Sequence, residues 1–193
     1  MKKTILTAAI TILLTLTIST NLNAEVRYEV IDLGTLDGYD AGPLQINDNA
    51  LVVGQVLCSV PQNGEIISKA VLYDSTGNGN VIDLQAGSAT SINNNNQIIG
   101  NSQNGIELLD ITGQGNNISI HTDGFARSIN DNGSVAGFIY TTPQHNLWDD
   151  KQAARFSINN PGQFIPLGSL PGYSDSGAVG INNFENIIGY AMH

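Results

Sequence analysis

The nine residues Ile46–Gly54 read Ile-Asn-Asp-Asn-Ala-Leu-Val-Val-Gly, and the same pattern returns at Ile92, Ile129 and Ile181. Each copy opens with Ile-Asn, carries two adjacent apolar residues near its end and closes with Gly. Asn, Asp and Gly close tight turns because they tolerate left-handed backbone angles or bond their own backbone. A turn of this kind between two apolar segments predicts a β-hairpin, and four copies predict a repeat architecture.

The strand that leaves each predicted turn has apolar residues at adjacent positions. Adjacent strand residues face opposite sides of a sheet, so such a strand must be covered on both faces, as in stacked sheets. The position three residues before each repeated Ile is compact, which would let a neighbouring sheet approach closely. The residues at that position are Pro43, Ala89, Ala126 and Ala178.

The segments between the hairpins add further strand-like runs, and no helical periodicity is visible after the first 24 residues. The chain from 25 to 193 therefore reads as one β-repeat domain with units at about 25–57, 69–102, 105–140 and 152–191. The repeats lie 46, 37 and 52 residues apart, a spacing typical of four-stranded propeller blades. We predict an all-β, β-propeller-like array of four blades, with a β-solenoid as the alternative.

The first unit has fewer predicted strands than the others. It comprises the half-buried strand 26–33 and the first Ile-Asn hairpin, and it lacks the entry strand. The prediction is therefore a first blade that lacks one strand, either in a complete array or in an incomplete ring. Terminal repeats are commonly atypical in such arrays.

The N-terminus has the features of a secretory signal peptide. Lys2 and Lys3 precede an apolar segment from Ile5 to about Ile18, and a small residue, Ala24, follows as the predicted cleavage position. About 14 apolar residues are too few for a comfortable membrane span. We expect export to the periplasm or the exterior, with no membrane insertion after residues 1–24 are removed.

The charge of the chain restricts its partners. Seven basic and 17 acidic residues give a net charge of −10, and loss of the signal lysines leaves −12. An acidic surface repels phosphate backbones and anionic lipids, so nucleic acid is not an expected partner. Cys58 is the single cysteine and has no partner for a disulfide within the chain, so stability must come from packing.

Several of these segments resemble the HAF-repeat family of extracellular repeat proteins. The resemblance rests on Asp32-Leu33-Gly34-Thr35-Leu36, on the Ile-Asn turns with their Val-Val-Gly ending, and on Lys69-Ala70-Val71-Leu72-Tyr73. It covers nearly all of residues 25–193. The His-Ala-Phe that names the family is replaced by Lys69-Ala70-Val71 in one unit and by Ala153-Ala154-Arg155-Phe156 in another. The resemblance implies an extracellular repeat and supplies no catalytic residues to carry over.

A candidate binding surface lies on the loops opposite the Ile-Asn turns. In an antiparallel meander, successive connections alternate between two ends, which places both long insertions on that second end. Trp148, Tyr39, Tyr140 and Tyr173 lie in or beside these loops. Loops held by a rigid scaffold commonly carry binding groups, and aromatic residues often dominate recognition. We predict that this surface binds a protein or a glycan; the alternative is that these aromatics only pack against neighbouring loops.

Other chemistry has weaker support in the sequence. Residues 74–80 resemble an oxygen-rich calcium loop but hold one carboxylate, Asp74, so a plain turn is the simpler interpretation. His121, His145 and His193 lack metal-ligand spacing, and no cofactor is expected. Nucleophile-elbow and Walker motifs are absent. The favoured function is an exported, non-enzymatic binding or surface-interaction module; a polysaccharide-acting hydrolase and a purely structural repeat protein are the alternatives.

Overall fold

The computed structural model describes residues 28–39, 41–59, 64–74, 79–142 and 151–193. The predicted signal segment, its cleavage position Ala24 and residue Trp148 lie outside these ranges. Residues 28–30 belong to an N-terminal unit, and they are exposed and lack regular structure. The second unit runs from Ile31 to His193, and all of its described regular elements are β-strands. No helix occurs in the described ranges, which confirms the all-β class.

The described strands form four antiparallel sheets in which neighbours along the chain are neighbours in the sheet. The first sheet contains β1 (Ala41–Ile46), β2 (Leu51–Ser59), β3 (Ile66–Asp74) and β4 (Val81–Asp83). The second contains β5 (Ser88–Ile92), β6 (Ile98–Ser102), β7 (Gly105–Leu109) and β8 (Ile118–His121). The third contains β9 (Gly124–Ile129), β10 (Ser134–Tyr140), β11 (Lys151–Ser157) and β12 (Phe164–Gly168), and the fourth contains β13 (Asp175–Ile181) and β14 (Ile187–Met192).

The sheets and the sequence units start at different strands of the repeat. Every sheet starts with the strand that ends at Ile-Asn, and the strand that ends at Gly lies second. The sequence unit 69–102 therefore contributes strands to both the first and the second sheet. A repeat in sequence defines the order of its strands, whereas hydrogen bonding between strands decides where a sheet begins.

The first sheet is complete, so the expectation that the first blade lacks a strand is wrong. The predicted strand 26–33 is not a strand over its described residues, 28–33. Leu33 instead packs its side chain on the face of the first sheet, beside Val52 and Tyr73, and makes no strand pairing there. The fourth sheet is the short one, with β13 and β14 alone among the described strands.

The glycine that closes each repeat is required by a bulge in the preceding strand. Each first strand is irregular in register against its partner, and the closing Gly pairs with the residue at the bulge. A Cβ on this Gly would overlap the backbone of the first strand in all four sheets. Only Gly permits that approach. The four glycines are Gly54, Gly100, Gly137 and Gly189.

The sheets pack face to face in chain order. Clusters of buried side chains join the first sheet to the second through Val53 and Ile92, and the second to the third through Ile99 and Ile129. In the first three sheets both members of the adjacent apolar pair are buried, which confirms the prediction that these strands are covered on both faces. The fourth sheet differs, because Ile188 is 69% exposed.

Candidate functional site

The first Asn of each repeat closes its own turn. In the first copy, Asn47 Oδ1 accepts hydrogen bonds from the backbone N–H of Asn49 at 3.1 Å and of Leu51 at 2.9 Å. The same pair of bonds recurs at Asn93, Asn130 and Asn182. An amide that accepts two backbone N–H bonds substitutes for part of the sheet ladder, which explains the recurrence of Asn at this position.

The same Asn side chains also join each turn to the next. Asn47 Nδ2 donates to the Asn93 carbonyl, Asn93 Nδ2 to the Asn130 carbonyl and Asn130 Nδ2 to the Asn182 carbonyl, each at 2.9 Å. We call this series, with its flanking bonds, the asparagine ladder. The four turns therefore lie side by side at one end of the sheets. Asn47, Asn93 and Asn130 are buried with their amides bonded, so they are structural groups and unsuitable as ligand contacts.

The second residue of each turn alternates between carboxylate and amide. The order is Asp48, Asn94, Asp131, Asn183, and each backbone N–H except the last donates to the side-chain Oδ1 of the next residue in this series. Asn94 Nδ2 also donates to Asp48 Oδ2 at 2.8 Å, and Asn183 Nδ2 to Asp131 Oδ2 at 2.8 Å. The alternation keeps like charges apart. The bond from the Asn94 backbone, followed by that from the Asn183 amide, lowers the pKa of Asp131.

An ion pair extends the contact between the third and fourth turns. Glu185 Oε1 accepts from Asn130 Nδ2 at 2.8 Å and from Asn132 Nδ2 at 3.2 Å, and Glu185 Oε2 lies 2.8 Å from Arg155 Nη2. Burial raises the pKa of Glu185, but hydrogen bonds from Asn130, Asn132 and Ser134 and the charge of Arg155 outweigh burial and lower it overall. The turn end of the sheets is therefore held by hydrogen bonds between turns and by this ion pair, in which the buried Arg155 Nε has no hydrogen-bond partner among the described residues.

The opposite end of the sheets carries the loops that the sequence marked for binding, and we call it the insertion rim. Its described residues are 64–65, 84–87, 103–104, 122–123, 141–142 and 169–174. Antiparallel strand order places them away from the Ile-Asn turns. Residues 60–63 and 143–150, with Trp148, lie outside the described residues.

The three tyrosines predicted to bind have different surroundings. The Tyr39 hydroxyl donates to the Ser59 carbonyl at 3.0 Å, and its ring packs against the core of the first sheet. Tyr173 stacks on His193 with ring centroids 4.4 Å apart. Tyr140 lines a groove on the insertion rim. The structure does not bring the three tyrosines together, because Tyr39 packs on the first sheet, Tyr173 stacks on His193 and Tyr140 lines the groove.

The groove beside Tyr140 has a volume of about 670 Å³ and is formed by three sheets. We call it the insertion groove. Its described walls combine one aromatic edge, from Tyr140 and Phe125 of the third sheet, with polar side chains from the first two sheets and from the connections 103–104 and 122–123. The polar residues are Gln55, Ser68, Ser88, Ser102, Gln103, Thr122 and Asp123. Asn101 also lines the groove, but it is buried and its amide is bonded to the Ala126 backbone. Sequence reasoning missed Phe125 and these polar residues, because they are far apart in the chain and none lies in a motif.

The aromatic edge of the insertion groove is packed against neighbouring rings and cations. The rings of Phe125 and Phe138 are stacked with centroids 5.6 Å apart, and Tyr140 meets Phe138 edge-on at 5.5 Å. Arg127 lies over Phe125 at 4.8 Å and Lys151 over Phe138 at 5.4 Å. Aromatic and cation–π contacts of this kind favour specific ring geometries. Tyr140 is therefore presented in a defined orientation.

Metal and catalytic groups have little support in the described ranges. No cluster of three or more His, Cys, Asp or Glu residues suited to a metal ion occurs there. The predicted calcium loop lies partly outside these ranges, at 75–78. Asp110 is the centre of another loop, where the side-chain and backbone bonds from Thr112 and further bonds from Asn116 lower its pKa. Those bonds explain Asp110 as a turn residue.

Comparison with other proteins adds no relative. No protein-family model matches the chain, and no curated protein and no solved structure is significantly similar to it. Within the described residues, no helix has the length and apolar character needed to cross a membrane.

Proposed function

We propose that this chain is an exported, non-enzymatic binding module of HAF-type repeats that holds a glycan in the insertion groove. The observation that carries the proposal is the groove itself, about 670 Å³ in volume and shared by three sheets. An aromatic edge beside many hydroxyl and amide groups suits a sugar, because sugars present C–H faces to rings and hydroxyls to polar side chains. Concave sites of this size with convergent polar groups are the usual places where small ligands bind.

Propeller-like packing of the sheets as blades would support such a site. Four-stranded antiparallel sheets stacked in chain order leave loops from several sheets at one end, where they can combine into one surface. Compact buried residues such as Ala89 and Ala126 permit this close stacking. The groove then depends on the scaffold, with Tyr140 and Phe125 as its apolar contacts.

Export is the second part of the proposal. Lys2, Lys3 and the apolar segment 5–18 provide the signal, with cleavage after Ala24. In the periplasm or outside the cell, the protein would meet polysaccharides and surface proteins. The net charge of −12 after cleavage favours a neutral or cationic glycan over nucleic acid.

The hydrolase alternative has less support from the groove. Glycoside hydrolysis usually needs two carboxyl groups on either side of the scissile bond. Among the described residues that line the groove, Asp123 is the one carboxylate. A binding role requires no such pair, and we therefore favour it.

A glycan array followed by calorimetry tests the proposal. We expect the exported chain to bind a glycan, and Tyr140→Ala to weaken that binding at least about 10-fold through loss of the ring contact. Tyr173→Ala is the matched control, because Tyr173 lines no part of the groove, and its affinity should be unchanged. Release of reducing ends from the bound glycan would favour the hydrolase. Absence of binding to any glycan would favour the purely structural repeat protein.

A further inference from the structure

A second groove adjoins the insertion groove on the insertion rim. It has a volume of about 370 Å³ and lies between the first sheet and the β6–β7 hairpin of the second. Its walls are mostly polar, and no aromatic side chain is among the described residues that form them. The residues that line this second groove and not the insertion groove are Lys69, Asp83, Gln85, Ala86 and Asn104.

The two grooves share one wall, which is formed by Ser68, Gly87, Ser102 and Gln103. Three of these four residues have no side chain or only a hydroxymethyl group, so the ridge between the grooves is low. A Cβ on Gly87 would lie 2.8 Å from the Asn101 carbonyl oxygen, so the connection 84–87 packs directly on β6 at this point. The grooves are therefore continuous, and we call the two together the rim cleft.

The hairpin that carries half of the shared wall is fixed by its own contacts. The Asn104 backbone N–H donates to Ser102 Oγ at 2.9 Å. A Cβ on Gly105 would overlap the backbone of His121 and Thr122, so this turn lies directly against the next connection of the rim. These contacts place Ser102 between the two grooves.

The charge of the second groove is balanced locally. Lys69 Nζ lies 3.2 Å from Asp37 Oδ2 and 3.3 Å from Asp83 Oδ2. The hydrogen bond to Asp37 raises the pKa of Lys69 against the opposing effect of burial, so the ammonium group stays charged beside its two carboxylates. An ammonium group that already has two carboxylate partners attracts an anionic ligand only weakly. The second groove therefore suits neutral hydroxyl and amide groups.

The two halves of the rim cleft offer different contacts. Tyr140 and Phe125 line the insertion groove, where the C–H face of a sugar ring can stack. The second groove provides hydroxyl, amide and charged side chains, which can bond the hydroxyl groups of further sugar residues. A ligand that uses both halves is therefore a chain of several sugar units.

We propose that the rim cleft binds a neutral oligosaccharide chain. One sugar ring lies against Tyr140, and the chain continues past Ser68 and Ser102 into the second groove. This inference rests on the proposed function, because it specifies the length and charge of the glycan that the insertion groove holds. Affinity should rise with chain length, since a longer chain buries more of its surface in the cleft.

Calorimetry with cello-, chito- and malto-oligosaccharides tests the inference. In at least one series we expect the hexasaccharide to bind at least about 10-fold more tightly than the disaccharide. Similar affinities for the two lengths in every series that binds would overturn the inference and leave the proposed function standing. Absence of binding at every length in all three series would overturn both.

Asn104→Trp separates the second groove from the insertion groove. Asn104 is exposed, lines only the second of the two grooves, and its side chain bonds no described residue. The indole should fill the second groove, so the affinity for the hexasaccharide should fall about 10-fold, to that of the disaccharide, whose own affinity should be unchanged. Tyr140→Ala, by contrast, should weaken the binding of both lengths.

Asn160→Trp is the matched control for Asn104→Trp. Asn160 is exposed in the β11–β12 turn, at the other end of the sheets, so both affinities should be unchanged. Circular dichroism of each variant confirms that the fold is retained. A folded Asn104→Trp chain that binds the hexasaccharide as tightly as the unmodified chain would overturn the inference, and so would equal weakening for both lengths.

Discussion

Arg155 on β11 and Glu185 in the fourth turn form an ion pair, with Nη2 and Oε2 2.8 Å apart, that joins the third sheet to the fourth. Glu185 simultaneously accepts bonds from Asn130 and Asn132, so one carboxylate connects the ion pair to the asparagine ladder. In the second turn the equivalent position is Asn96, whose neutral oxygen accepts the same two kinds of amide bond from the first turn. The negative charge is thus specific to the contact that faces an arginine.

Glu185 should make the free energy of unfolding depend on pH in the acidic range. Its pKa is lowered in the folded protein, so its contribution to the free energy of unfolding is present above its ordinary pKa of 4.5 and is lost as pH falls through the lower folded value. We expect Glu185→Gln to reduce the slope of unfolding free energy against pH below about 4.5. Urea unfolding from about pH 3 to about pH 7 measures it, with Glu29→Gln as the control. An unchanged slope would contradict the role of this carboxylate.

Asn93 should be among the least replaceable polar residues. It is 4% exposed, accepts two backbone N–H bonds and donates to the Asn130 carbonyl and to Gln97. Asn93→Ala leaves several of these groups unpaired, and we expect a loss of about 2–4 kcal/mol of unfolding free energy. The control is Asn95→Ala, because Asn95 is exposed and donates a single bond to the next turn. We expect this control to lower the free energy of unfolding by roughly 1 kcal/mol. Equal losses of unfolding free energy in the two variants would show that burial of the Asn93 amide adds nothing to stability.

The hydroxyl of Tyr73 is an unpaired polar group in the buried cluster of the first sheet. Tyr73 is fully buried, its hydroxyl has no hydrogen-bond partner among the described residues, and burial raises its pKa to about 12. We expect Tyr73→Phe to stabilise the protein by about 1 kcal/mol, because the buried hydroxyl loses its bonds to water without replacement. Tyr39→Phe is the comparison and should destabilise by about 1 kcal/mol through loss of the bond to Ser59. Thermal unfolding of both variants would reveal a shift of opposite sign.

The fourth position of the turn is left-handed in every repeat. Ala50 has φ 59°, whereas the third repeat has Gly133 with φ 78°. A non-glycine residue with this conformation costs roughly 1–2 kcal/mol, partly offset by the greater freedom of Gly in the unfolded chain. We therefore expect Ala50→Gly to raise the free energy of unfolding by about 0.5–1 kcal/mol.

Gly133→Ala is the reciprocal test of the same turn position. The new Cβ would lie 2.7 Å from Ile158 Cγ1 and would keep the positive φ, so both strain and overlap oppose it. We expect a loss of more than about 1 kcal/mol. Chemical denaturation compares the pair; a neutral Gly133→Ala would contradict the strain argument.

Sequence reasoning predicted the local features well. The Ile-Asn pattern identified the hairpins, and the adjacent apolar residues Val52 and Val53 correctly implied burial on both faces of the strand. These predictions succeed because a turn and a strand face depend on residues close together in the chain. The segment 28–33 was predicted as a strand and is not one, because alternation of apolar and polar residues does not supply a partner strand.

The candidate site was less predictable. Tyr140 was identified from its position at an insertion, but Phe125 and Gln103, which share its groove, lie on another strand and in another sheet. Tyr39 and Tyr173 were grouped with Tyr140 because their loops share an end of the sheets, yet a common end does not place side chains in one cavity. A groove made by three sheets depends on packing that no single repeat contains.

The amino-acid sequence by itself determined the all-β class, the four hairpins and the need for stacked sheets, because turn chemistry and strand periodicity act within a few residues. Only the tertiary structure decided where each sheet begins, which glycines meet backbone, how Asp48 and Asn94 alternate across turns, and which side chains form the insertion groove. The asparagine ladder joins residues 37 to 52 positions apart, and the groove combines three sheets, so the geometry of both exists only after the sheets have packed. The glycine contacts depend on the register between two strands, which the repeat pattern does not specify.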